Sequence, residues 1–154
     1  MEALLNWLAD TALAEWVRLS RWGYAAINAL HILGIALLLG AIVALDLRLL
    51  GWRRQVPLRE LGRLLQPVAA AGLGLAMLAG ALLFLADPRG YAAMPLFLFK
   101  LTLIALAITN ALLLNLGPGL ANATPRRLRL AGMLSLLLWP AVVLVGRFLA
   151  FVEE

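Results

Sequence analysis

Residues 22–45 read WGYAAINALHILGIALLLGAIVAL, 24 residues without a formal charge. At 1.5 Å per residue a helix of that length reaches ~36 Å, enough to cross a hydrocarbon core of ~30 Å. Working outward, three further apolar runs of similar length follow, at about 67–86, 95–116 and 130–151. The pattern predicts an all-α polytopic membrane protein, a four-helix transmembrane bundle, with residues 21–154 as a single domain. Composition points the same way. Of 154 residues 64% are hydrophobic and 14% charged, with a mean hydropathy of +0.97. Soluble domains are ~45–50% apolar and about 25% charged, so a soluble enzyme of ordinary design is excluded. The chain has no cysteine, which removes disulfides, thiolate zinc sites, iron–sulfur ligation and cysteine nucleophiles.

Residues 1–20 differ from the spans. They begin with Glu2, lack a basic start, and are interrupted by Asn6, Asp10 and Glu15, which is unlike a signal peptide. Leu4, Leu5, Leu8, Ala12, Leu13 and Trp16 recur at three- and four-residue spacing. That period predicts an amphipathic helix lying in the membrane interface, with Trp7, Trp16 and Trp22 in the aromatic belt. The alternative is a helix packed across the bundle mouth as a lid.

The loops carry the charge. Arg48, Arg53, Arg54, Arg59 and Arg63 follow span one, and Arg126, Arg127 and Arg129 follow span three. Four spans put both loops on one side, so the positive-inside rule places them in the cytoplasm and both termini in the periplasm of a bacterial inner membrane. The net charge of +5 is then explained by anchoring at an anionic membrane surface rather than by nucleic acid. Pro57 is expected to start a short surface helix over 58–66, Pro67 to start span two, and Asp87-Pro88-Arg89-Gly90 to form a turn. Pro140 is expected to kink span four. Gly72, Ala76 and Gly80 repeat every four residues along span two, a spacing that lets helices approach closely or makes room for a flat ligand.

Polar groups within a span cost free energy and therefore mark candidate sites. His31, the only histidine, lies roughly 13 Å below the periplasmic surface, with Asn28 one turn nearer it. Lys100, the only lysine, lies roughly 8 Å from the same surface on span three. Arg147 lies near the same side on span four. The three basic groups are expected to converge in the outer half of the bundle. The structural alternative has Lys100 and Arg147 snorkelling and His31 bonding a neighbouring helix. The sharper reading is a pocket for an anionic, largely apolar ligand. A tetrapyrrole fits: imidazole ligates iron and cations pair with propionates. Asp46, at the cytoplasmic end of span one, is expected to clasp a loop arginine such as Arg126 or Arg129, with Arg48 as a further structural polar residue. Asn110 and Asn115 are expected to bond between helices.

The block His31-Ile32-Leu33-Gly34, Gly40 and Asp46-Leu47-Arg48-Leu49-Leu50-Gly51, with Pro95-Leu96-Phe97, Lys100 and Asn110, resembles an uncharacterised family of small bacterial membrane proteins with a DLRLLG signature. More distantly the layout is similar to the copper-resistance D membrane domain and to the HemJ type of protoporphyrinogen oxidase. In the oxidase family a histidine on an early span and a lysine on a later one are functional and haem b is bound. By motif position that resemblance implies His31 and Lys100 here.

These observations predict, first, a haem-b-binding membrane protein passing electrons to or from quinone or a periplasmic carrier. In it His31 is the axial ligand, Lys100 ligates iron or pairs with a propionate, Arg147 pairs with a propionate and Asn28 adjoins them. The alternatives are a non-catalytic accessory or scaffold subunit of a membrane complex, and a small transporter. Catalytic residues are not assigned. Ser20 and Ser135 are the only serines, and neither is expected beside His31 with a carboxylate, as hydrolytic chemistry requires. Small-residue stripes facing lipid further predict a homo-oligomer or a membrane-complex partner.

Overall fold

The computed structural model describes residues 2–116 and 119–152. The described chain is all-α: α1 (Glu2–Ala9), α2 (Ala12–Leu19), α3 (Arg21–Leu49), α4 (Leu58–Phe84), α5 (Pro88–Ala93), α6 (Pro95–Asn115), α7 (Gly119–Asn122) and α8 (Pro125–Val152). Among them α3, α4, α6 and α8 are long and apolar enough to cross a membrane. Leu30, Ile32, Leu78, Leu101, Leu113 and Leu137 along these helices are exposed. In water such an apolar surface would be a liability, whereas lipid solvates it.

Three local expectations change. The helix expected over 1–20 is broken at Asp10–Thr11, where Thr11 caps α2. Its Oγ1 accepts from the Ala14 amide at 3.2 Å and donates to the Leu8 carbonyl at 2.8 Å. The surface helix expected over 58–66 and the span expected from Pro67 are one helix, and Pro67 lies inside a continuous α4. A proline inside a helix forfeits a single backbone bond, and helix-forming sequence on both sides carries the helix through it. The Asp87 turn is the start of α5: Asp87 Oδ1 accepts from the Gly90 amide at 3.0 Å and Pro88 occupies the first turn. Proline there loses no helical bond.

Two compact units divide the chain, and α3 and α4 each run through both. One comprises Met1–Leu38 with Ala70–Pro95, the other Leu39–Ala69 with Leu96–Glu154. In the first, Val17, Ile27 and Ala79 form a buried cluster with Leu82, Leu83 and Ala86 against it, and α1 packs on α5. The small residues Ala9, Ala14 and Val17 are buried, while Leu4, Trp7, Leu13, Trp16 and Leu19 are exposed. The N-terminal helices thus dock through a small-residue face, as a lid would, and present the apolar face that an interfacial helix needs.

The second unit is centred on Leu49, Leu114 and Ala131 with Leu58, Leu120 and Leu128. Its turn after α3 explains Gly51. The Trp52 amide bonds the Leu47 carbonyl at 3.0 Å, the Gly51 amide bonds Arg48 at 3.1 Å, and Gly51 has φ +103°. This is the Schellman ending, whose C′ position favours glycine because positive φ costs it nothing. Arg48 braces the same turn, with Nε donating to the Val56 carbonyl at 2.7 Å and Nη2 to Arg54 at 3.1 Å.

Candidate functional site

The first unit holds His31, half-buried on α3 and facing α4. Its Nδ1 lies 2.7 Å from the Ala76 carbonyl oxygen. A carbonyl only accepts, so Nδ1 carries the hydrogen and donates it; the neutral ring then has its lone pair on Nε2. This bond is possible because α3 and α4 approach at backbone distance. A Cβ on Gly34 would stand 2.5 Å from the Ala76 nitrogen and 2.8 Å from the Gly72 oxygen. One on Gly72 would stand 2.6 Å from the Leu38 nitrogen and 2.8 Å from the Gly34 oxygen. One turn beyond Ala76, a Cβ on Gly80 would meet the imidazole itself, 3.0 Å from Cε1. The stripe Gly72, Ala76 and Gly80 therefore serves close packing. Two of its positions press on the α3 backbone, and the third is covered by the histidine ring.

A tetrapyrrole meets a mixed reception here. The imidazole fits as a ligand, because a ligating histidine commonly donates its other nitrogen to a carbonyl. The stripe does not fit as a slot for a flat ring, because α3 and the His31 ring fill it. Asn28, one turn away, is exposed. Among the described residues no group of three or more His, Cys, Asp and Glu side chains could hold a metal ion.

The second unit holds the other two candidate cations, Lys100 and Arg147. Lys100 of α6 is half-buried and lies over Gly146 of α8, where a Cβ would stand 3.3 Å from its Cε and 3.4 Å from its Nζ. The missing side chain is what admits the lysine stem. Arg147, the next residue, is exposed and sets its guanidinium 5.3 Å from the centroid of the Phe151 ring. Within this unit Arg147 lies on an aromatic face rather than beside Lys100 over Gly146. A neighbour on a helix points about 100° away, which explains why Gly146 and Arg147 do not share a side.

Asp46 is 4% exposed, and its Oδ2 has no hydrogen-bond partner. The carboxyl faces Ser135 of α8, so the expected clasp to Arg126 or Arg129 is not formed. The reason is local. Gly132 lets α8 close on α3, a Cβ there standing 3.1 Å from the Leu49 Cβ and 3.3 Å from the Asp46 carbonyl. That contact covers Asp46 before a loop arginine can reach it. Ser135 stands one turn after Gly132, a register that the sequence displays without naming Asp46 as its partner. Asn110 Nδ2 donates to the Ala131 carbonyl at 3.0 Å, joining α6 to α8. Asn115 accepts from Gln66 Nε2, joining α6 to α4.

No family model, curated protein or solved structure matches this chain.

Proposed function

We propose that this protein is a non-catalytic accessory or scaffold subunit of a membrane complex. One observation carries the reading. The residues best suited to chemistry, His31 and the glycine run, are engaged with each other in the α3–α4 contact. His31 bonds the Ala76 carbonyl and covers Gly80, and Gly34 and Gly72 bring the backbones together. A side chain committed to holding two helices is a packing device, worth ~0.6 kcal/mol on average for an intramembrane hydrogen bond. What such a chain offers a membrane is its shape, its outward apolar side chains and its arginine-rich loops.

Haem b binding, with electron transfer to a quinone or periplasmic carrier, is the second reading. It is favoured by the tautomer: with Nδ1–H bound to Ala76, the Nε2 lone pair is the one a metal would take.

Blue native electrophoresis of membranes solubilised in digitonin tests the scaffold reading. The wild-type chain is expected in a species well above its 16.6 kDa protomer. His31→Ala should keep that species, and Gly34→Leu should lose it. A wild-type chain that runs as a lone protomer, also after cross-linking in intact membranes, overturns the reading.

A further inference from the structure

Where α8 begins, a groove of about 410 Å³ opens between α6 and α8. This lies within the ~300–1,000 Å³ of small-molecule sites. Its polar end is formed by Thr124, Arg126 and Arg127, and its wall by Leu113, Leu130 and Leu134, with Asn110 spending its amide on the Ala131 carbonyl; among the described residues no carboxylate lines it. Arg127 is held in place twice. Its Nη2 donates to the Leu113 carbonyl, and its amide donates to Thr124 Oγ1 at 3.3 Å. Arg126 and Arg127 remain exposed, and among the described residues no acid lines the groove to neutralise them. Leu134 lies eight residues beyond Arg126, about 12 Å further along the helix.

We propose that this groove is a binding site for an anionic phospholipid, with the phosphodiester on Arg126 and Arg127 and an acyl chain along Leu130 and Leu134. The ordering of the groove selects the occupant. Guanidinium pairs with phosphate oxygens through fixed, planar donors. The wall beyond them belongs to a helix long and apolar enough to span a membrane, so the ligand must change from anionic to hydrocarbon within ~12 Å. Free phosphate satisfies the arginines and leaves the leucine wall without a partner. A zwitterionic lipid satisfies the wall and brings a cation to the arginines. Only an anionic lipid matches both ends, and basic pockets between membrane helices are known to take such headgroups.

Native mass spectrometry of the full chain in a neutral detergent tests this. The protein is titrated with phosphatidylglycerol, phosphatidylcholine or inorganic phosphate. At ~1 kcal/mol per arginine near a membrane surface, Arg126→Gln should weaken phosphatidylglycerol binding about 5-fold, and Arg126→Gln with Arg127→Gln about 30-fold. Leu134→Trp, which fills the wall and leaves both arginines, should weaken it as well. Arg129→Gln, outside the groove, should leave it unchanged, and inorganic phosphate should not compete. Equal binding of phosphatidylcholine, competition by inorganic phosphate at comparable concentration, or an equal loss in Arg129→Gln would each overturn the proposal. The first would leave a general lipid surface, the second a free-anion site, and the third diffuse charge.

Discussion

Alanine at Gly72 should destabilise the protein, while alanine at Gly40 and Gly74 should not. The contrast follows from what a new methyl group meets. At Gly72 it would stand 2.6 Å from the Leu38 nitrogen and 2.8 Å from the Gly34 oxygen, both backbone atoms; at Gly40 and Gly74 it meets nothing within 4 Å. Ordinary contact begins at 3.4 Å, so α3 and α4 must part by about 0.8 Å at Gly72. Overpacking of this kind costs ~1–3 kcal/mol. The same movement stretches the His31–Ala76 bond, worth ~0.6 kcal/mol on average in a membrane. The better helix propensity of alanine returns at most about 1 kcal/mol. The net cost at Gly72 is therefore about 2 kcal/mol, against a neutral or slightly favourable change at the other two. For a chain of this size ~1 kcal/mol moves Tm by about 2–4 °C, so Gly72→Ala should melt about 4–8 °C lower. The five tryptophans supply the signal for a fluorescence melt in detergent. Equal melting of all three variants, or a gain at Gly72, would refute the close approach of α3 and α4.

Other expectations follow from single contacts. His31→Ala removes the bond to the Ala76 carbonyl and should lower Tm by about 1–2 °C while the protein stays folded and helical by circular dichroism. An unfolded variant would show that the ring does more than staple. Asp46→Asn keeps a polar group facing Ser135 and removes a buried carboxyl whose Oδ2 is unpartnered. Its melting temperature should equal or exceed the wild type, and a fall of more than about 4 °C would reveal a cation partner for Asp46. Gly51→Ala forces a side chain onto φ +103° and should cost ~1–2 kcal/mol, read as a lower Tm and faster proteolysis at the turn after α3. No change in either would contradict the Schellman ending.

The four spans were legible because length and hydropathy decide them, and no tertiary detail enters. The break at Asp10–Thr11 was marked by two capping residues, yet the apolar period of Leu4, Leu8 and Leu13 runs across it and masks the cap. Pro67 reads as a start because proline favours the first turn; sequence alone does not say that flanking helix will carry it through. The polar contacts were legible by residue and not by partner. His31 bonds a main-chain carbonyl, which no side chain advertises. The sequence points Asp46 to loop arginines because they are opposite in charge and on the same side, whereas its neighbour is set by Gly132 admitting α8. The glycine stripe left two uses open, and matching Gly72 to Gly34 on the facing helix is what separates them.

An absorption spectrum of the detergent-purified chain tests the central claim, that His31 packs helices rather than ligates iron. It is recorded oxidised and dithionite-reduced, before and after haem b is added and the excess removed, for wild type and His31→Ala. The account predicts no Soret band retained by either protein. A Soret band in the wild type that shifts on reduction and disappears in His31→Ala would contradict it and make electron transfer the function to pursue.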